Sequence, residues 1–248
     1  MKRKILIVGG TSGLGRKLAG LYCKEDCMVG IVGRRENLLK DFQKEYPGNS
    51  KICQADISKE DAGNKIAAFI DELGGFDIFI LTASVIHFNE SLELKKELDT
   101  IGINIHGFTQ IINTAYQYCK KNNKGQIVVV TSVAASRGNK TAPAYNASKA
   151  YQSFYTEAIR LKIKSEKINA SVTEIIPGYM DTDMAKGNRL FWVASLEKAS
   201  RQIMNAIAKK KKRVFVTKRW WLIYHVSRWM PSFIYDRLIN SGFTLKKK

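Results

Sequence analysis

Long apolar runs, cysteines and histidines are all scarce in this chain of 248 residues. No window supplies the run of about 18 or more apolar residues that a membrane-spanning helix needs. The four cysteines match no zinc-ligand spacing and only three histidines could join them, so no metal site is predicted. The N-terminal "MKRKILIVGG" runs directly into a glycine-rich turn, which predicts a buried strand rather than a signal peptide. We therefore expect a cytoplasmic protein with reduced thiols.

Acidic residues are also few. The chain has 22 aspartates and glutamates against 41 lysines and arginines, which gives a net charge of +19. The excess is uneven, because residues 208–248 hold 12 basic residues and one acid, Asp236. A basic excess is typical of proteins that bind nucleic acid, anionic lipid or a phosphorylated cofactor. Its concentration at the C-terminal end indicates that this end has a partner of its own.

Short apolar runs alternate with segments whose apolar residues recur at helical spacing. The predicted strands are 4–10, 28–34, 51–56, 76–82, 125–132, 168–177 and 213–217. The predicted helices are 13–25, 36–46, 59–73, 95–122, 144–166 and 196–210. Strands that are apolar on both faces are typical of a parallel sheet covered by helices. We predict an α/β fold with a Rossmann-type, doubly wound sheet of about seven strands in one domain, residues 1–217, and treat 218–248 as an extension of that domain.

The first predicted strand leads into a glycine-rich turn and then a helix. Gly9, Gly13 and Gly15 in "GGTSGLG" fall in a G-x-x-x-G-x-G arrangement. Without Cβ atoms the backbone can turn tightly and approach a pyrophosphate, which then lies on the N–H groups at the helix N-terminus. Glycines alone are a weak signal, but this strand–turn–helix context is the one that a dinucleotide-binding motif requires.

The end of the second predicted strand bears on which dinucleotide is bound. NAD sites usually have an acid there that accepts from the ribose 2′-hydroxyl, whereas this chain has Gly33 followed by Arg34 and Arg35. A guanidinium binds a 2′-phosphate through charge-assisted hydrogen bonds, so NADP(H) is favoured. Two alternatives stay open: the arginines, Arg35 above all, are ordinary surface cations, and Asp56 is either an acceptor for the adenine amino group or a loop or helix-cap residue.

The segment "VVVTSVAASRGNKTAPAYNASKAYQSF" (128–154) resembles the catalytic segment of the short-chain dehydrogenase/reductase family. Ser132 ends a buried strand, Tyr145 follows thirteen residues later and Lys149 four after that, which matches the family's Ser…Tyr-x-x-x-Lys site. Asn104 in "INIHG" matches the helix asparagine of the family's catalytic tetrad. The resemblance runs from residue 4 to about 217 and implies the strand order 3-2-1-4-5-6-7.

The same resemblance carries over the family's cofactor contacts. Pro177, Gly178 and Thr182 in "IIPGYMDTDM" match the Pro-Gly-x-x-x-Thr segment that meets the nicotinamide end. The other residues expected to contact the cofactor are Thr11, Ser12, Leu14, Ile57, Ala83, Tyr145 and Lys149. Where family members commonly carry Asn-Asn-Ala-Gly after the fourth strand, this chain has Leu81-Thr82-Ala83-Ser84, a departure that bears on the shape of the cofactor cleft.

The resemblance implies a role for each catalytic residue. A free phenol has a pKa of about 10, so Tyr145 needs a neighbouring cation to exchange its proton near neutrality. Lys149 would lower that pKa and hold the nicotinamide ribose, while Ser132 would donate to the substrate oxygen as charge develops on it. Asn104 would help to hold a water that connects Lys149 to solvent. The hydride itself belongs to the cofactor.

The C-terminal residues 218–248 depart from the family pattern. Aromatic and aliphatic side chains are mixed here with cations: Trp220, Trp221, Leu222, Ile223, Val226, Trp229, Met230, Phe233 and Tyr235 with Lys218, Arg219, Arg228 and Arg237. Pro231 is expected to break or kink any single helix. Three interpretations stay open: contact with an anionic membrane surface, packing over the substrate cleft, and burial in a dimer interface. Nucleic acid is a weaker option, because no recognised reading motif accompanies the basic residues.

Taken together, the sequence predicts an NADP(H)-dependent oxidoreductase that interconverts a lipophilic ketone or aldehyde and its alcohol. The alternative is a dinucleotide-binding sensor or scaffold whose basic tail binds a membrane or a protein. We expect a homo-oligomer, a dimer or a tetramer, with peripheral membrane contact through residues 218–248 as an open option. Residues 183–195 are expected to form part of the substrate pocket.

Overall fold

The computed structural model describes residues 2–182 and 192–240. Within them, seven strands form one sheet in the order β3-β2-β1-β4-β5-β6-β7, as predicted. The strands are β1 (Lys4–Val8), β2 (Met28–Gly33), β3 (Ser50–Gln54), β4 (Ile78–Leu81), β5 (Gly125–Val130), β6 (Ala170–Pro177) and β7 (Arg213–Val216). Every neighbouring pair is parallel, so the carboxyl ends of all seven strands lie at one edge of the sheet.

Helices cover both faces of this sheet. They are α1 (Gly13–Lys24), α2 (Glu36–Glu45), α3 (Ala62–Leu73), α4 (Leu94–Ile101), α5 (Phe108–Asn122), α6 (Pro143–Ser165), α7 (Leu196–Ala208), α8 (Trp220–Trp229) and α9 (Ser232–Asn240). Alternate strand residues point to opposite faces. In β1, Ile5 and Ile7 pack with α1, α2 and α7, whereas Leu6 and Val8 pack with α3, α5 and α6. Both faces are therefore buried, which is why the strands are continuous apolar runs.

The predicted helix 95–122 is divided in the structure. α4 and α5 are joined by a π-helical segment, Gly102–Gly107, which contains Asn104. Such segments insert an extra residue into a helix and are common at functional sites. Gly107 in this segment lies against the chain after β3, where a Cβ atom would be 2.4 Å from the carbonyl oxygen of Ile57.

The C-terminal residues fold into two helices that the periodicity did not predict. α8 ends at Trp229 and α9 begins at Ser232, so the expected break at Pro231 is confirmed. Trp220 and Tyr224 on α8 are buried against the sheet domain. Most of the expected pocket segment 183–195, namely 183–191, lies outside the described residues, as do residues 241–248. In the described part of the chain, no helix is both long and apolar enough to cross a membrane.

Candidate active site

The predicted catalytic side chains meet at the carboxyl edge of the sheet. Ser132 follows β5 and opens a 3₁₀ turn, Val133–Ser136, whose Ala134 N–H donates to the Ser132 hydroxyl at 3.1 Å. Tyr145 is on the first turn of α6. The Asn146 amide donates to the carbonyl oxygens of Ala134 (3.1 Å) and Arg137 (2.8 Å), and so ties that turn to the segment after Ser132.

The Ser132 hydroxyl lies close enough to the Tyr145 phenol to act on its pKa. Burial raises the pKa of Tyr145 above its ordinary value, Ser132 acts in the opposite direction, and nearby Tyr179 raises the pKa further. Burial is the largest effect on this pKa in the chain alone, and the lowering expected from Lys149, in a site that holds the cofactor, stays a prediction. The Lys149 ammonium lies 5.7 Å from the centroid of the Tyr145 ring.

Lys149 is almost completely buried, one turn of α6 after Tyr145. Its ammonium donates to the side-chain oxygen of Gln152 at 2.9 Å and to the carbonyl oxygen of Val130 at 3.4 Å. Burial lowers the pKa of Lys149 to about 7, because a charged ammonium loses its hydration there. Its proton occupancy is consequently sensitive to any charge that enters the site.

Gln152 connects Lys149 to Asn104, a contact that the sequence analysis missed. Its amide nitrogen donates to the main-chain carbonyl oxygen of Asn104 at 2.8 Å, while its oxygen accepts from Lys149. Asn104 was expected to help hold a water toward Lys149, and its main-chain carbonyl is bonded to a side chain here. One signal was available: Tyr145, Lys149 and Gln152 follow i, i+4, i+7 spacing, so a polar residue repeats on the buried face of α6.

The segment after β4 keeps its connections although it departs from the family pattern. The Thr82 hydroxyl donates to the carbonyl oxygens of Val8 (3.1 Å) and Gly9 (3.2 Å). The Asn104 side-chain oxygen accepts from the Ser84 hydroxyl (3.1 Å) and from the Val85 N–H (2.9 Å). Hydroxyl groups therefore fasten this segment to both the glycine turn and the π-helical segment.

The glycine turn is too crowded for side chains at two of its three predicted positions. A Cβ atom on Gly9, which has a φ of +96°, would be 2.5 Å from the Ala83 nitrogen, and one on Gly15 would be 2.2 Å from the Gly9 carbonyl oxygen. Gly13 has a φ of +52°, and a Cβ atom built on it would only make ordinary van der Waals contact with Thr182, at 3.6 Å. Leu14 is buried in the core below the turn. The turn therefore presents backbone at the N-terminus of α1, the arrangement that suits a pyrophosphate.

The two arginines after β2 point to different partners. One nitrogen of the Arg35 guanidinium donates to the Thr11 hydroxyl at 3.0 Å and to the Ser12 hydroxyl at 2.8 Å. Arg35 is therefore not an ordinary surface cation, since its charge lies over the glycine turn. Gly33 allows this approach, because a Cβ atom there would be 2.4 Å from the Thr11 methyl group.

Arg34 faces Asp56 across a gap of 3.9 Å between guanidinium nitrogen and carboxylate oxygen. The other Asp56 oxygen accepts from the Ser58 N–H (3.0 Å) and hydroxyl (2.8 Å), so a loop role is present. Partial burial acts to raise the pKa of Asp56, but the bonds from Ser58 and the charge of Arg34 outweigh it and hold the pKa below its usual range. Asp56 is thus a stable carboxylate at the carboxyl edge, beside buried Ile57.

Aromatic rings line the end of β6. Gly178 follows Pro177, and a Cβ atom on Gly178 would lie 2.0 Å from the Trp220 indole, so this indole sits directly on the glycine backbone. The Tyr179 and Trp192 rings each make an edge-to-face contact with Trp220, at centroid distances of 5.4 and 5.9 Å. Tyr179 is close enough to Tyr145 to influence its pKa, so we define the aromatic wall as the rings of Tyr179, Trp192 and Trp220 at this end of the sheet.

The arrangement can hold a carbonyl oxygen between two hydroxyl groups and exchange a proton with it. Ser132 and Tyr145 supply those hydroxyls, and the Lys149 ammonium lies behind the phenol ring. Among the described residues, no group of three or more histidine, cysteine and carboxylate side chains is placed to hold a metal ion. The residues at this edge of the sheet suit proton transfer to or from an oxygen, coupled to the chemistry of a bound dinucleotide.

Comparison with known proteins gives one family throughout. The short chain dehydrogenase family model matches residues 3–191. An uncharacterized oxidoreductase of Staphylococcus epidermidis is 28% identical over 196 residues, 75% of this chain and 82% of that protein. The 11-beta-hydroxysteroid dehydrogenase-like protein 2 of Arabidopsis thaliana is 30% identical over 188 residues, 73% of this chain and 60% of that protein. A short chain dehydrogenase from Burkholderia cenocepacia, solved in complex with NADP, has the same fold with a TM-score of 0.82 at 18% identity, covering 96% of this chain and 98% of that one.

Proposed function

The chain belongs to the short-chain dehydrogenase family, and we propose that it transfers a hydride between NADP(H) and a lipophilic carbonyl or alcohol substrate. The observation that carries this proposal is the grouping of Ser132, Tyr145 and Lys149 at the carboxyl edge of the sheet, next to the glycine turn. A sensor or scaffold needs the glycine turn, but it does not need two neighbouring hydroxyl groups beside a buried amine.

Tyr145 is proposed to give its phenolic proton to the substrate oxygen in reduction and to take it back in oxidation. Its raised pKa keeps the phenol protonated near neutrality, so the chain alone is prepared for the reductive direction. Ser132 holds the same oxygen and stabilises the charge that develops on it. Lys149 restores the phenol proton, since a pKa of about 7 lets the amine exchange protons near neutral pH.

The residues of the glycine turn and the end of β2 fit a phosphorylated dinucleotide, which when bound would supply or accept the hydride. Gly9, Gly13 and Gly15 would hold its pyrophosphate through backbone N–H groups. Arg35 and Arg34 would bind the ribose 2′-phosphate, and no carboxylate replaces the acid that NAD sites use there. The contacts proposed for the rest of the cofactor are Thr11, Ser12, Leu14, Asp56, Ile57, Ala83, Tyr145, Lys149, Pro177, Gly178 and Thr182.

The cofactor assignment is tested by binding rather than by turnover. Titration should show NADPH binding more tightly than NADH, and Arg35→Ala should weaken NADPH by about 10- to 100-fold, because a charge-assisted hydrogen bond contributes about 1.5–3 kcal/mol. Affinity for NADH should hardly change. Lys40→Ala is the matched control, since Lys40 is an exposed cation on α2 paired with Glu36. Equal affinity for both dinucleotides would remove the arginines from this role.

The aromatic wall supports an apolar substrate. The partly exposed Tyr179 and Trp192 rings pack edge-to-face on buried Trp220, and the Arg219 guanidinium lies 4.9 Å from the Trp192 ring. Such a surface binds carbonyl compounds with rings or long alkyl groups better than small polar ones. A panel of matched apolar and polar carbonyl compounds, followed by NADPH absorbance, tests this preference.

Tyr145→Phe tests the catalytic assignment. The variant keeps the ring but loses the proton, so we expect turnover to fall by about 10²- to 10⁴-fold while NADPH still binds. Tyr151→Phe is the control, because Tyr151 is on the same helix and its hydroxyl bonds Thr109 instead. If Tyr145→Phe were as fast as the unchanged enzyme, the proposed mechanism would be wrong. If the unchanged enzyme bound NADPH and reduced nothing, the sensor alternative would be favoured.

We also propose that the chain forms a dimer or tetramer through α4. Leu94, Leu98 and Ile101 follow i, i+4, i+7 spacing and are exposed, which leaves an apolar stripe on this helix. Acids and bases both flank it, so two copies can meet without like charges being forced together. Light scattering on Leu98→Lys should give a smaller mass than on the unchanged protein.

A further inference from the structure

α8 has two apolar faces, of which one is buried and the other is not. Trp220 and Tyr224 are both buried: Tyr224 packs with Phe215, Ile176 and Ala135, and Trp220 lies on the Gly178 backbone. Leu222, Val226 and Trp229 repeat at i, i+4, i+7 on the outside of the helix, where Trp229 is 80% exposed. A helix that is apolar all round is expected to be covered on every side. The outer face of α8 therefore lacks a partner among the described residues.

The exposed surface continues onto neighbouring elements. Trp221 is beside the stripe on α8, and Phe233 on α9 is 75% exposed. Isolated exposed apolar residues are normal, but a contiguous group of large ones marks an interaction site. We define the outer patch as Trp221, Leu222, Val226, Trp229 and Phe233.

The charges around the outer patch are nearly all positive. Lys218 and Arg219 precede α8, Arg228 is within it and Arg237 is on α9, all four exposed. Over the described chain, none of these cations has a carboxylate within ion-pair distance. The only acid from residue 218 onward is Asp236. Tryptophans with unpaired cations match the interfacial region of an anionic bilayer, where indoles prefer the headgroup level and each cation adds about fivefold to binding.

A second copy of the chain fits this surface less well. A two-fold contact places a patch against itself. A two-fold contact through the outer patch would bring the four cations of one copy close to the same four of the other, with one acid per copy to reduce their repulsion. The α4 stripe, by contrast, is flanked by charges of both signs. Nucleic acid would use the cations, but it would leave the aliphatic side chains Leu222 and Val226 without a partner.

We propose that the outer patch docks on an anionic lipid surface. Docking does not depend on the proposed reaction, but the fold connects the two sites. Trp220, at the start of α8, rests on the Gly178 backbone at the catalytic edge. Arg137, five residues after Ser132, donates to the carbonyl oxygens of Ser227 and Met230 and to the Ser232 hydroxyl, and its guanidinium lies 4.4 Å from the Tyr235 ring. The docking helices are thus held against the segments that carry the site, which places the aromatic wall near the lipid.

Vesicle sedimentation with the full-length protein tests the proposal. The unchanged protein should bind phosphatidylcholine vesicles that contain phosphatidylserine, and binding should weaken as salt is added. The double variant W229S/F233S should bind at least tenfold more weakly, with an unchanged melting temperature because both side chains are exposed. The variant K218Q/R237Q should lose about 25-fold on the same vesicles, at about fivefold per cation. Leu161→Ser removes a largely exposed apolar residue of α6 that belongs to neither proposed surface, and it is the matched control.

Three results would overturn the proposal. One is binding of W229S/F233S as tight as that of the unchanged protein. Another is equal binding to vesicles with and without phosphatidylserine, which would leave the cations without a role. The third is no vesicle binding together with a drop in mass of W229S/F233S by light scattering, which would make the outer patch an interface between copies. None of these measurements needs turnover, so a failure here leaves the proposed reaction standing.

Discussion

Replacing Lys149 by methionine should stabilise the protein at low pH while abolishing its proposed reaction. The fold lowers the pKa of Lys149 from 10.5 to about 7. A tenfold change in proton affinity corresponds to about 1.4 kcal/mol, so the buried ammonium costs the folded state about 5 kcal/mol. The variant also leaves the buried Gln152 oxygen without its donor, which costs about 1–3 kcal/mol. We expect Lys149→Met to raise the free energy of unfolding at pH 6 by about 2 to 4 kcal/mol.

The effect has a defined dependence on pH. Below pH 7 the amine is charged in both folded and unfolded chains, so the folded state bears the whole cost. Between pH 7 and 10.5 the unfolded chain binds more protons, and the stability of the unchanged protein therefore rises with pH toward that of the variant. Above 10.5 the amine is neutral in both states and the cost is gone.

Urea unfolding of nucleotide-free protein, measured at intervals from pH 6 to pH 10, gives the comparison. Lys164→Met, an exposed lysine further along α6, is the control and should follow the unchanged protein at every pH. Curves for Lys149→Met and the unchanged protein that run parallel across this range would refute the assigned burial cost. A variant that was less stable at pH 6 would refute it as well.

Two further substitutions test contacts at the catalytic edge. Gly178→Ala should lower the free energy of unfolding, measured in urea, by about 1–3 kcal/mol, because its methyl group would overlap the Trp220 indole. An unchanged free energy of unfolding would show that the indole does not lie on this backbone. Gln152→Leu should lower the free energy of unfolding more at pH 6 than at pH 9, because the charged form of Lys149 loses its acceptor. An equal loss at both pH values would mean that Gln152 contributes only packing.

The fold was predictable because its signals are local. The two-faced apolar strands and the helical spacing between them require no knowledge of distant contacts, and the glycine turn and the Tyr145–Lys149 spacing are short motifs. The junction in the helix predicted over 95–122 was not predictable, because one extra residue in a helix hardly changes an apolar pattern. The sequence therefore placed Asn104 at the family position but did not predict that it lies in a π-helical segment.

The part of the site that was missed depends on a contact between distant segments, because Gln152 joins Lys149 to the main chain of Asn104. Arg35 was expected at the cofactor with a surface role left open, and the return of β2 beside the glycine turn brings it to Thr11 and Ser12. The C-terminal residues differ in kind, because α8 has one apolar face packed inward and another exposed, so packing on the domain and contact with a membrane are compatible. Apolar residues on both faces of a helix give no periodic signal that tells the buried face from the exposed one.

The packing of the Trp220 indole on Gly178 has a practical consequence for the design of shortened or tagged forms of the protein. Truncation before residue 218 would expose the Gly178 backbone and the surfaces of Phe215 and Ile176 to solvent. A loss of function in the shortened chain would therefore reflect damage to the proposed active site, not simply the absence of the C-terminal helices. The amino ends of the strands lie at the opposite edge of the parallel sheet. A purification tag joined to residue 1 is therefore attached far from the site, whereas a tag on the C-terminal helices is attached close to it.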